Sequence, residues 1–176
     1  VQEEYVQLKH ICYWDMALCY MSLCEWQQTY ECFTVLANEN NWSKALYHYA
    51  RAAALYETGS PAAQEEAKEI MERVPSMSQR IAGKSIPLEK FASRKSRKMT
   101  QYGYLFHPAM EFAYLTHCYT TSPPRALFRR FLPIIEQELE RLTSQVSPVF
   151  DDLCLAHFLH GVILRNLAYP EKHVYL

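Results

Sequence analysis

Glycine is scarce in this chain, with four in 176 residues. The phosphate-cradling loops G-x-x-x-x-G-K-[ST] and G-x-G-x-x-G are missing, and so is the G-x-S-x-G turn that presents a nucleophilic serine. β-Branched aliphatic residues are also few. With so little glycine for tight hairpins, that argues against a sheet protein. The six cysteines, Cys12, Cys19, Cys24, Cys32, Cys118 and Cys154, include no C-x-x-C pair. Disulfide-rich secreted modules are small and loop-rich, and this chain is neither. Reduced, buried thiols in a cytoplasmic protein are therefore expected. The most apolar run, Ile11 to Trp26, is interrupted by Asp15, Ser22 and Glu25 and falls short of the ~20 residues of a membrane span. Net charge is −1, so the total gives no pull towards nucleic acid or an anionic membrane. No cofactor is expected.

What the chain does have is helix-forming, aromatic-rich sequence. It is 49% hydrophobic, with thirteen tyrosines and eight phenylalanines, enough for a continuous core. Val1 stands inside an apparent helix and no stop signal precedes Leu176, so sequence is expected to continue beyond both ends. The first segment, about Gln2 to Cys24, reads as a helix whose second half is apolar almost all round and should be covered on more than one side. Two phrases then repeat at an offset of sixteen residues: Glu25-Trp26-Gln-Gln-Thr29 and Asn41-Trp42-Ser-Lys-Ala45. Each tryptophan opens a helical run, and a small residue follows three positions on. A half-unit of that length implies a helical hairpin of about 32 to 34 residues, the size of a tetratricopeptide repeat. Ala45, Tyr49 and Ala52 share one helical face, and Ala17 with Tyr20 takes the equivalent small and aromatic slots.

Punctuation residues mark the remaining helices. Thr58-Gly59 should end the Trp42 helix, and Ser60-Pro61 should start the next, which stops before Pro75. Residues 75–87 predict an irregular connection with Ile81 and Ile86 anchored, and Pro87 starts a helix to about Met99. His107-Pro108 starts another, ending near Thr120. Ser122-Pro123-Pro124 opens a longer one that Pro133 should kink or split. A last helix runs from about Pro148 to Leu167, with Gly161 and Leu164 in a repeat's small and large slots and a partner helix after Pro170. The fold class is all-α: a tetratricopeptide-like α-solenoid segment of antiparallel hairpins, about 70% helix, over a single segment 1–176.

The stretch Gly83 to Lys98, with its core Ile86-Pro87-Leu88-Glu89-Lys90-Phe91-Ala92-Ser93-Arg94-Lys95, resembles the tetratricopeptide repeat protein 39 family, which includes fungal inclusion body clearance proteins. Ile11-Cys-Tyr-Trp14, Trp42-Ser-Lys-Ala45, and Pro108-Ala-Met-Glu111 with Tyr114 are similar too, in the same order. Thr116, His117 and Cys118 stand where the family pattern has Trp-Asn-Gly, and Ala168 stands in place of a glycine. The resemblance implies a helical array that acts as a scaffold or adaptor without known chemistry.

Three polar clusters invite a chemical reading. Cys154, His157 and His160 step by three along one helix, but the outer two diverge by about 120° around the axis, so zinc would need a ligand such as His117 or Cys118. An interhelical seam is the expected role, and no metal site is expected. Asp151 and Asp152 open an apolar helix, where they favour its positive end. Lys90, Arg94, Arg97 and Lys98 cluster on one helical face opposite Leu88, Phe91, Ala92 and Met99. A solvated outer face accounts for them, and a surface for an acidic or phosphate-bearing partner is the sharper alternative. Trp14, Trp26 and Trp42 are expected to pack helix on helix. The function expected is a protein-binding scaffold, with a protein or peptide held in a concave groove. The alternatives are a segment that packs only against other parts of its own polypeptide and a helical lipid-binding protein.

Overall fold

The computed structural model describes residues 3–81 and 84–170, with side chains over 5–79 and 86–170. The expected anchoring of Ile81 and the helix after Pro170 lie outside what is described. Helices dominate, and the only strands among the described residues form the two-residue pair β1 (Arg80–Ile81) and β2 (Lys84–Ser85), antiparallel with Arg80 opposite Ser85. The chain divides into two compact units, one of residues 1–20 and 26–109 and the other of 21–25 and 110–176.

In the first unit, α1 (Glu3–Ser22, as far as Tyr20) runs antiparallel to α2 (Trp26–Glu39). Lys9 meets Glu39 at one end, and Trp14 meets the Phe33 ring edge-on at 5.8 Å further along. A short turn at 40–43 leads to α3 (Lys44–Glu57), the most buried helix, where Ala45, Tyr49 and Ala52 are fully enclosed. Small residues there let neighbouring helices close in, while Tyr49 fills the space between them. It meets Phe91 edge-on at 5.5 Å. Gly59, at φ +84°, makes the left-handed exit from α3. Ser60 Oγ then accepts from the Ala63 amide at 3.1 Å to cap α4 (Pro61–Arg73). Within the expected irregular connection come a 3₁₀ turn (Val74–Met77) and the β1–β2 pair, followed by α5 (Pro87–Tyr102).

Several expectations need correction. The second half of α1 is not covered on more than one side: Ile11 is 57% exposed, and Met16, Cys12 and Cys19 are also exposed. Its apolar circumference exceeds what α2 and α3 can cover. Trp42 is 67% exposed and does not pack helix on helix. Its amide donates to Asn40 Oδ1 at 2.8 Å in the tight turn ahead of α3. The thiols are not uniformly buried either: Cys32 and Cys118 are, whereas Cys12, Cys19 and Cys154 are exposed.

The second unit contains α6 (Pro108–Leu115, from Met110 onwards), the short α7 (Cys118–Thr121), α8 (Pro124–Ala126), a π-helical turn (Leu127–Phe131), α9 (Leu132–Thr143) and α10 (Phe150–Ala168). The helix from Pro108 breaks before Thr120. Thr116 Oγ1 donates back to the Phe112 carbonyl at 2.9 Å, and His117 takes a left-handed conformation at φ +60°. Pro133 does not split its helix. Proline lacks the N–H that would bond the carbonyl four residues back, and the π turn before it widens the ladder, with the Leu132 amide bonded to the Leu127 carbonyl five residues back. Tyr119 anchors this unit, donating its hydroxyl to the Met110 carbonyl at 3.1 Å and meeting Phe131 edge-on at 5.2 Å. On α10, Gly161 and Leu164 face outwards, and a β-carbon at Gly161 would touch nothing.

Candidate interaction surfaces

The motif that opens α5 is built around Glu89. Pro87 occupies the first helical position, where its missing N–H costs nothing, so Glu89 falls in the first turn beside the positive end of the helix. The side chain is fully buried. One carboxylate oxygen accepts from Ser43 Oγ at 2.9 Å and the other from the Gln79 amide at 2.8 Å. No cation pairs with it among the described residues. Ser43 precedes α3 but makes no side-chain cap, because its hydroxyl is committed to Glu89. Gln79 adds a bond from Nε2 to the Asn41 carbonyl at 3.1 Å. Three segments distant in sequence are thereby fixed at one point: the α2–α3 turn, the chain before β1, and the start of α5.

This clamp shapes one wall of a cleft. Its volume is about 710 Å³, and Ile11, Trp14, Trp42, Leu46, Tyr47 and Leu88 supply most of its lining. Trp14 forms the floor, edge-on to Phe33 and, at 6.0 Å, to Tyr47. Trp42 and Ile11 stand at the rim with most of their surface in water. Beside the lining residue His10, Lys9 pairs with Glu39, which also lies 3.4 Å from His10 Nε2. The Lys9 hydrogen bond is the main reason that the Glu39 carboxyl is held below its usual range. Exposed aromatic and aliphatic side chains at the edge of an apolar hollow are the usual anchors for another polypeptide.

The basic face lies elsewhere on α5. Lys90, Arg94 and Arg97 are exposed and have no carboxylate partner among the described residues, and Lys98 is half-buried. Lys95 instead lies over the Phe91 ring, 5.9 Å from its centre. The opposite side, with Ala92, Ser93, Ser96 and Met99, is buried. The face is therefore a solvated stripe on a well-anchored helix.

Cys154, His157 and His160 are not brought together as a ligand set. Cys154 and His157 are exposed, and only His160 sits in a seam, its Nε2 3.7 Å from a Glu136 oxygen. Among the described residues no three His, Cys, Asp or Glu side chains converge to hold a metal. Asp151 and Asp152 occupy the first turn of α10 as the sequence suggests. No helix among the described residues is long and apolar enough to cross a membrane. Sequence reasoning missed Glu89 and the cleft. A carboxylate inside a basic stretch, two positions after a helix-opening proline, was the available signal. Its partners Ser43 and Gln79 carry no sequence signal of their own.

Comparison with known proteins agrees with the motifs. The chain is 30% identical over 172 residues to the tetratricopeptide repeat protein ttc-39B of Caenorhabditis elegans, covering 95% of this chain and 29% of that protein. It is 24% identical over 193 residues to the inclusion body clearance protein IML2 of Yarrowia lipolytica, covering 96% of this chain and 27% of the relative. The chain thus spans less than a third of the length of these relatives. No solved structure matches it significantly. The family described as Iml2/Tetratricopeptide repeat protein 39 matches residues 1–167, and the chain belongs to that family.

Proposed function

We propose that this chain is a protein-binding segment of a scaffold or adaptor, and that the cleft between α1, the α2–α3 turn and α5 receives an amphipathic helix or peptide from a partner. The observation that carries this reading is Trp42, two-thirds exposed at the rim of an apolar hollow although it opens a repeat phrase. Membership of a tetratricopeptide family supports it, because such arrays leave grooves that grip extended or helical peptides. The basic face of Lys90, Arg94, Arg97 and Lys98 is the proposed second contact, for an acidic stretch of the same partner. We place the protein in the cytoplasm and assign it no catalytic step.

A photo-crosslinking amino acid at position 42 of the full-length protein, expressed in cells, tests the reading. Crosslinks to another protein, lost when Ile11→Asp is added, are the expected result. A second reading is favoured by the exposed apolar side chains of α1 and α10, namely that other helices of the same polypeptide cover these surfaces. Crosslinks confined to its own chain would establish that reading and refute the first.

A further inference from the structure

The second unit has a depression of its own, about 400 Å³ in volume, with Leu23, Glu25, Pro123, Arg125, Arg129 and Arg130 on its walls. Three arginines and one carboxylate line it, and that carboxylate is already taken. Arg130 pairs with Glu25 and donates to the Leu23 carbonyl at 3.0 Å, fixing the 23–25 turn against the π-helical segment. Arg125 and Arg129 are exposed, and neither has a carboxylate or backbone partner among the described residues. The hollow therefore carries two uncompensated positive charges.

The π turn explains their grouping. Its wider winding puts residues four and five positions apart, Arg125 with Arg129 and Arg130, around one hollow. Such turns recur at functional sites because an inserted residue re-aims side chains without breaking the helix. Arginine presents a planar fork that matches a carboxylate, and Leu23 and Pro123 supply an apolar wall beside it. That wall suits a peptide better than a bare anion.

We propose that this hollow docks an acidic segment of a partner protein, with carboxylates on Arg125 and Arg129 and an apolar side chain on Leu23 and Pro123. The proposal is independent of the Trp42 cleft and of the basic face on α5. Its test is fluorescence anisotropy of a labelled peptide of about twelve residues, repeating Leu-Glu-Glu, with the full chain at about 0.15 M salt. The pair Arg125→Glu and Arg129→Glu should raise Kd at least about tenfold, and Arg125→Gln with Arg129→Gln should raise it by less, both with an unchanged far-ultraviolet circular dichroism spectrum. The charge-matched pair Arg141→Glu and Arg165→Glu, on the same unit, should leave Kd within about twofold, as for rim charges remote from a contact. A Leu-Gln-Gln peptide should not compete. Failure of the acidic peptide to bind, or binding indifferent to the Arg125 and Arg129 reversals, overturns the proposal. So does displacement by inorganic phosphate alone, or arginine-dependent binding seen only with phosphatidylserine vesicles.

Discussion

Ser43 donates its hydroxyl to the buried carboxylate of Glu89 across forty-six residues of sequence, at 2.9 Å. The bond ties a helix that starts at Lys44 to one that starts at Pro87. With the Gln79 amide on the other oxygen, it leaves Glu89 solvated by protein alone. Removing one side of such an arrangement strands the rest in a dry site. Glu89→Ala is expected to cost about 2–4 kcal/mol, and Ser43→Ala about 1–2 kcal/mol, measured by urea unfolding. In the double variant the two losses should fall short of additive, because both remove the same bond. Full additivity would mean that the two groups do not interact.

The two aromatic residues of the second repeat phrase should behave oppositely. Tyr49 is fully enclosed, and Tyr49→Ala should destabilise by about 3–5 kcal/mol, as for a large core side chain. Trp42→Ala should change stability by less than about 0.5 kcal/mol, as at an exposed surface position. A large loss for Trp42→Ala would show that its indole is covered in solution.

Acid sensitivity should reside partly in His48. Burial, assisted by the Arg51 and Lys44 charges, holds its imidazole below the usual value of 6.5, against the hydrogen bond to the Lys44 carbonyl, which acts the other way. The folded state therefore binds this proton less readily than the unfolded chain. The corresponding stability is present above the unfolded pKa and is lost as pH falls through it towards the folded one. Urea midpoints followed from about pH 7 to about pH 5 should fall, and His48→Gln should flatten that fall. Identical profiles for the two proteins would remove His48 from the account.

Pro133→Ala should leave the π turn in place and change stability by less than about 1 kcal/mol. Restoring an N–H there invites an α-helical ladder, but that would rotate one side of the helix against the other. Leu127 and Phe131 upstream, and Ile135 and Leu142 downstream, are all buried in the present phase. Backbone amide chemical shifts that relax to regular α-helix in the variant would show that proline, rather than packing, sets the turn.

What the sequence disclosed was mostly local. Ser60-Pro61, Gly59, Pro87 and Pro124 are punctuation whose meaning is contained within one turn of chain, and each falls at an observed helix boundary. The alternation of small and aromatic residues through Ala45, Tyr49 and Ala52 likewise identified the core face of α3. Orientation was less legible. Trp42 and Trp26 begin similar phrases, yet Trp42 stands mostly in water and Trp26 is half-buried. The break at His117 depends on which backbone carbonyls remain available, and the π turn before Pro133 on the phase in which its flanking apolar residues are buried, quantities that periodicity does not carry. Glu89 was hidden for a different reason: its burial depends on a hydroxyl and an amide supplied from afar, which its own segment does not announce.

The uneven placement of the sulfhydryls makes the chain its own conformational clock. Cys12 and Cys19 lie two turns apart on α1 and, with Cys154, are open to an alkylating reagent, while Cys32 and Cys118 are shielded and burial pushes the Cys32 thiol towards its unreactive protonated form. Mass added quickly would report on the surface helices. Mass added slowly at Cys32 would time openings of the first unit, and at Cys118 those of the second, so that the two halves could be watched separately in a single sample.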